Sequence, residues 1–307
     1  MYYFIVNPNS RSWKGALIWK ELRRTLQQKH ISYKAVFTGY RGHAVKLAAS
    51  VTAKASPEHP VYLIAVGGDG TIQEVLSGVK DLSCIYFGYI PTGSGNDFCR
   101  SMQLPQDPHE ALDCILKRKH IASMDVPVIS IKGRKSHFAI SCGIGFDAAV
   151  CHEVSVTPMK KILNRVGLGK LVYLFVALKQ LLFLKPVPVT LRMDEERIYP
   201  FHKVYFAAVM NQKYEGGGFK FCPDASPSDG YLDVIVVDGL SKLKVLFCLP
   251  TAFWGKHTQF TGIHIFRCKK VEVFSTVPLA VHKDGESAGL LHDFSVCMEP
   301  KQINMIS

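Results

Sequence analysis

The hydrophobic pattern changes character once along the chain, near residue 123. Before that point short apolar runs alternate with segments of helical period, and after it strand-like runs dominate. Residues 2–6, 33–37, 61–66 and 86–90 are mostly apolar, the pattern of short strands covered on both faces. Between them Ala16, Trp19, Leu22 and Leu26 repeat along one helix face, Ala44, Leu47, Ala48 and Val51 along a second, and Ile72, Val75, Leu76 and Val79 along a third. Strand, polar turn and helix thus recur, which predicts an α/β domain with a parallel sheet. Ligands of such sheets bind at the carboxyl ends of the strands. The turns at Asn7, Thr38, Gly67 to Thr71 and Thr92 to Asp97 are therefore expected to share one crevice.

Residues 126–131, 136–141, 187–193, 203–210, 231–237, 270–274 and 294–298 alternate or are β-branched, with Gly, Pro and Asp between them. They predict a second, mainly antiparallel β domain. Inside it lies the most apolar stretch of the chain, 171–184, which is too short to span a bilayer as a helix. Lys160, Lys161, Arg165, Lys170, Lys179 and Lys185 punctuate and flank it. That pattern suits a core helix with solvated lysines as well as a helix lying on an anionic membrane surface.

The turn after residue 66 reads Gly67-Gly68-Asp69-Gly70. Its glycines permit positive φ and carry no Cβ, so backbone N–H groups can approach an anion, phosphate first among them. Thr71 and Glu74 form the T-x-x-E pattern of a capping box, and a helix N-terminus adds its partial positive charge. Asp69 would repel phosphate unless it holds Mg²⁺ or accepts a proton; the alternative is that it only caps the helix. Two further acidic patterns follow. The run Asp224 to Asp233 would surround a hard cation at a turn, or simply make the turn. In His282-Lys283-Asp284-Gly285-Glu286 the two carboxylates, if the backbone is extended, point to one side and act together.

Composition narrows the partners. The 307 residues, 48% of them hydrophobic, suffice for two cores, and 37 Lys plus Arg against 25 Asp plus Glu give a net charge of +12. Such a charge favours nucleotides or acidic lipid surfaces; with no nucleic-acid-binding signature in the sequence, nucleic acid is not expected. Nine cysteines without a C-x-x-C pair indicate neither a disulfide framework nor a zinc site. The N-terminus lacks the basic and apolar regions of a signal peptide, and a cytoplasmic location is expected.

The motifs NPNS, TGYRGHA, GGDGTIQEVLSG, PTGSGNDFCR, CGIGFDA, YEGGGFKFCPDASPSDGYLDVIVV and HKDGE, in this order, resemble the diacylglycerol kinase catalytic-domain family, in its soluble bacterial lipid-kinase branch related to sphingosine kinases. GGDGT alone is shared with NAD kinases and phosphofructokinases, and the later motifs decide. The resemblance implies a phosphofructokinase- and NAD-kinase-like α/β domain at 1–123, a β-sandwich-like lipid-substrate domain at 124–290, and a segment at 291–307 that returns toward the first domain. It implies ATP contacts at Asn7, Pro8, Asn9, Ser10, Thr38, Gly67, Gly68, Asp69, Gly70, Thr71, Ile72, Gln73, Thr92, Gly93, Asn96 and Asp97. It further implies a structural Mg²⁺ at Ser226, Asp229 and Tyr231, a general base at Glu286 with Asp284, and Asp69 acting through a catalytic Mg²⁺. His282-Lys283 departs from the glutamine and apolar residue more usual before DGE, and Ser94 replaces a frequent threonine.

The expected activity is Mg²⁺-dependent transfer of the γ-phosphoryl group of ATP to a lipid hydroxyl, that of diacylglycerol first, giving phosphatidic acid. Another lipid acceptor such as a sphingoid base or phosphatidylglycerol, a soluble metabolite, or a silent binding protein of the same fold are the alternatives. Peripheral, salt-sensitive contact with an anionic membrane is expected, and a homodimer is left open.

Overall fold

The structure, a computed structural model, describes residues 1–307 other than 12, 94, 157–175 and 177–178. Strands β1 (Tyr2–Val6), β2 (Tyr33–Phe37), β3 (Val61–Gly67) and β4 (Ile85–Pro91) pair in parallel in the order β2-β1-β3-β4. Val6 stands opposite Phe37 and Val66, and Val66 opposite Ile90. This register makes the chain leave the sheet at one level four times, at Asn7, Thr38, Gly67 and Pro91.

Helices cover both faces, as the near-continuous apolar runs predict. On one face Trp19, Leu22 and Leu26 of α1 (Lys14–Gln28) pack with Phe4, Ile64 and Leu112. On the other, Ala44 and Ala48 of α2 (His43–Val51) and Ile72, Val75 and Leu76 of α3 (Asp69–Gly78) pack with Ile5, Leu63 and Phe87. Each fully buried leucine or isoleucine here contributes about 1.5–3 kcal/mol. Helices α2 and α3 touch closely at Gly78, where a Cβ would lie 2.2 Å from the carbonyl oxygen of Val45.

The predicted capping box does not form. Glu74 instead accepts hydrogen bonds from the N–H groups of Gly42 (2.7 Å) and Ala44 (3.1 Å), at the start of α2. That helix begins without a side-chain cap of its own, so its unpaired N–H groups take an acceptor from the neighbouring helix. Helix α3 also lacks a side-chain cap, and its N-terminus faces the crevice.

Two short helices follow, α4 (Asp97–Met102) and α5 (Pro108–Lys117), and then β5 (Ile121–Met124). A second sheet of nine strands contains β6 (Pro127–Ile131), β7 (Arg134–His137), β8 (Ser141–Gly145), β9 (Val187–Met193), β10 (Arg197–Met210), β11 (Leu232–Asp238), β12 (Ile263–Cys268), β13 (Lys270–Lys283) and β14 (Glu286–Met298). Strands β10 and β13 each pair with β8 near their C-terminal ends and with β9 near their N-terminal ends. The sheet therefore folds over on itself around Ile144, Leu191, Val209, Val273 and Val281.

Pairing also relocates the chain's end. The segment expected to return from 291 onward runs to Met298 inside β14, and only β15 (Ile303–Ile306) joins the first sheet, between β4 and β5. The exposed Leu290, His292 and Asp293 weaken the apolar signal of β14. Its pairing with β13 decides the strand. Half of 171–184, namely 171–175, 177 and 178, lies outside the described residues, so the alternatives raised for that stretch are not addressed by the structure; Leu181 packs in the core beside Phe146 and Ile235.

Candidate active site

The four turns converge on a cleft of about 410 Å³. Asn7, Asn9, Ser10, Thr38, Gly68, Gly70, Thr71 and Gly93 line it, as the crevice argument predicts, and Glu286 enters from the second sheet. The turns are tied to one another. Asn7 donates from Nδ2 to Thr71 Oγ1 at 3.2 Å, Ser10 Oγ meets Thr92 Oγ1 at 2.6 Å, and the backbone N–H of Thr92 donates to Gly67 O at 2.7 Å. The carbonyl of Pro8 accepts the N–H of Ala16, in the first turn of α1, at 3.1 Å.

The glycines serve space and not handedness. None of Gly67, Gly68, Gly70 and Gly93 is among the residues of positive φ. A Cβ on Gly67 would lie 2.2 Å from Thr71 Oγ1, one on Gly93 2.7 Å from the Gly68 Cα, and one on Gly70 3.4 Å from Glu286 Oε1. The first N–H groups of α3 have no carbonyl within the helix to bond; those of Thr71 and Ile72 turn to Gly68 O, ahead of the helix, at 2.8 and 3.3 Å.

Asp69 sits at that helix start. Its Oδ2 accepts the Asp97 N–H at 3.2 Å, while Oδ1 is sealed from solvent with no hydrogen-bond partner. Burial, and then the nearby Asp97 charge, pushes its carboxyl up to about 7. Asn96, which adopts the left-handed conformation, likewise holds a buried Oδ1 without a donor. A buried oxygen acceptor left without a donor fits a hard cation. Asp97 itself pairs with Arg100 and accepts the Gly217 N–H at 2.6 Å; burial raises its carboxyl.

The carboxylates of the DGE motif divide. Asp284 and Gly285 have φ of 46° and 76° and form the tight turn between β13 and β14, as an Asp-Gly hairpin turn does. The extended backbone that would aim both carboxylates one way is therefore absent. Asp284 turns inward and accepts the N–H groups of Ala139 (2.8 Å), Ile140 (2.8 Å) and Ser141 (3.0 Å). Its carboxyl is raised because burial outweighs those three donors. Glu286 turns into the cleft, with Oε2 at 2.8 Å from Arg41 Nη2.

Other expected positions lie elsewhere. Ile72 is fully buried in the core, and Gln73 donates to Ser77 Oγ (2.9 Å) and His137 O (3.3 Å) behind α3. Both occupy the inner face of the helix, so neither side chain reaches the cleft. Ser226 and Tyr231 lie on the loop before β11. Asp229 is ion-paired with Arg267 and accepts the Tyr231 N–H at 3.0 Å, so a cation at Ser226, Asp229 and Tyr231 would have to displace a guanidinium.

A buried cluster behind the DGE turn comes from the structure alone. His282 Nε2 lies 2.9 Å from Asp147 Oδ2 and 3.2 Å from Glu215 Oε1. Burial opposes a charge on this imidazole, but the Glu215 and Asp147 carboxylates overcome it and push it up to about 9. Among the described residues these three also form the one group of ligating atoms within 4.8 Å of one another. An imidazole in the set suits zinc better than Mg²⁺, and its held proton occupies the place of a metal.

Arg11, Tyr40, Arg41, Ala44 and Glu74 also line the cleft and were missed. Tyr40 and Arg41 belong to the TGYRGHA motif, which offered the signal.

The diacylglycerol kinase catalytic domain matches residues 1–128, and the YegS C-terminal NAD kinase beta sandwich-like domain matches 141–307. YtlR of Bacillus subtilis is 30% identical over 94% of this chain and 94% of its own. A diacylglycerol kinase of Staphylococcus saprophyticus is 28% identical over 89% of this chain and 87% of its own. Among solved structures, a diacylglycerol kinase from Bacillus anthracis superimposes with a TM-score of 0.68 at 21% identity, covering 99% of this chain and 96% of that one. An Archaeoglobus fulgidus NAD kinase in complex with ATP does so at 0.55 and 13% identity, covering 100% and 94%. The last two establish shared fold: a parallel α/β domain followed by an antiparallel β-sandwich-like domain.

Proposed function

Since the chain belongs to the diacylglycerol kinase catalytic-domain family and is a lipid kinase, we propose that it transfers the γ-phosphoryl group of ATP, with Mg²⁺, to the hydroxyl of diacylglycerol. The observation that carries this reading is the placement of Glu286, from the second sheet, in the glycine-lined cleft at the start of α3.

Phosphoryl transfer needs alignment and charge neutralisation more than covalent help. The N–H groups at the start of α3 cradle the phosphates, with Asn7, Ser10, Thr38 and Thr71 fixing the nucleotide around them. Asp69, through its unpartnered Oδ1, and Asn96 are the residues that would hold Mg²⁺. The bound ion supplies neutralisation of phosphate charge. Glu286 accepts the proton of the lipid hydroxyl as that oxygen bonds to phosphorus and the bond to ADP breaks. Arg41, 2.8 Å from its Oε2, holds the Glu286 carboxylate oriented until the acceptor arrives. Asp284 positions Glu286 by anchoring the turn to the 139–141 backbone.

The test is transfer from labelled ATP to a panel of lipids in detergent micelles, with Asp69→Ala as control. Asp69-dependent labelling of diacylglycerol is the expected result. Labelling of a sphingoid base or phosphatidylglycerol in its place would change the acceptor, and labelling only of a soluble compound would overturn the lipid reading.

A further inference from the structure

The helix Lys242–Thr251 is apolar on both sides. Val245 and Cys248 face inward and are buried, whereas Leu243 (63% exposed) and Phe247 (68%) face outward. A surface helix ordinarily turns polar residues to water. The turn that follows adds Phe253 and Trp254, the latter 70% exposed, and the Lys242 ammonium bonds the carbonyl of Leu182, whose exposed side chain lies next to that of Phe183 in sequence. Between Gly239 and Val271 the chain has no Asp or Glu, while Lys244 and Lys256 are exposed.

We propose that this face, the helix Lys242–Thr251 with Trp254 and the adjoining Leu182 and Phe183, docks on the surface of an anionic lipid bilayer. Aromatic and leucine side chains beside lysines, with no acidic residue among them, match the boundary between acyl chains and negative headgroups. The inference rests on the lipid-kinase reading, because an acceptor held in a bilayer has to meet the cleft. A series of contacts runs from the face to that cleft. Phe253 stacks on Phe219 at 4.1 Å, Phe219 pairs through its backbone with Glu215, and Gly217 within that hairpin donates to Asp97 beside Asp69. No helix among the described residues is long and apolar enough to cross a membrane.

The full chain is sedimented with phosphatidylcholine vesicles with and without phosphatidylglycerol, at low and high salt. Binding is expected to the anionic vesicles, weaker at high salt. The Phe247→Asp, Trp254→Asp double variant is expected to lose about tenfold or more of that binding, and Lys244→Glu with Lys256→Glu to lose the salt-sensitive part. Both variants should keep wild-type turnover on acceptor supplied in detergent micelles, since these residues lie outside the cleft. Wild-type vesicle binding by the double variant would overturn the proposal. So would a wild-type dimer in light scattering that the same variant dissociates, which would assign the face to a second copy. Failure to phosphorylate any lipid in micelles would instead sink the kinase reading, and the vesicle result is read independently of it.

Discussion

Arg41 Nη2 lies 2.8 Å from Glu286 Oε2, an ion pair that spans the cleft from the loop before α2 to the first residue of β14. The two sheets thus meet through charges at the place where nucleotide and acceptor would meet. Both side chains are exposed, so the pair is worth only about 0–1 kcal/mol to folding. Its value lies in orienting a carboxylate beside the proposed phosphate cradle.

Arg41→Ala should therefore leave the melting temperature nearly unchanged while reducing kcat/KM for ATP by about tenfold. Steady-state kinetics over a range of ATP, beside a thermal melt, check this. An unchanged kcat/KM would show that Arg41 contributes nothing to the site.

Glu286→Gln and Asp284→Ala should fail in different ways. The first removes the proposed proton acceptor, and turnover should fall about 10²- to 10⁴-fold with stability intact. The second leaves three buried N–H groups without an acceptor, at about 1–3 kcal/mol each, and should lower the urea midpoint steeply. Equal loss of stability in both would remove the division of labour between the two carboxylates.

Asp69 gives a pH dependence with a definite sign. Its carboxyl titrates near about 7 in the folded chain against 3.8 for an ordinary aspartate. The folded state holds a proton that the unfolded chain releases, so the stability linked to it is full below about pH 4 and is lost as pH rises through about 7. Asp69→Asn should consequently gain stability over wild type between about pH 5 and 8 in urea unfolding without Mg²⁺. A constant difference across that range would place the pKa elsewhere.

Gly67→Ala and Gly70→Ala separate packing from ligand space. At Gly67 the new methyl would meet Thr71 Oγ1 at 2.2 Å, and about 1–3 kcal/mol of stability should be lost. At Gly70 the nearest atom is Glu286 Oε1 at 3.4 Å. There the fold should persist while ATP binding, followed by calorimetry, weakens. Destabilisation at Gly70 equal to that at Gly67 would contradict the close approach assigned to ligand.

Residues 2–6, 33–37 and 187–193 form strands with the bounds their pattern predicts, because a run of apolar or alternating side chains reports burial directly. The crevice was legible for a similar reason: strand-turn-helix repeats place Asn7, Thr38 and Gly68 at one end of a parallel sheet whatever the detailed packing. β12, the second half of β13 and the first half of β14 were less legible because their side chains are partly exposed, and β15, though buried, because its partner β4 is distant in sequence.

The sequence by itself determined the two-domain class, the glycine turn and the identity of the acidic residues, because those depend on local periodicity and on residue type. Tertiary structure alone decided what each acidic residue faces. Glu74 caps a neighbouring helix and not its own, Asp284 is spent on the backbone at 139–141, Glu286 enters the cleft beside Arg41, and His282 is enclosed by Asp147 and Glu215. A carboxylate's role is set by the donors and charges within a few ångströms of it. In this chain those neighbours come from segments tens to hundreds of residues away.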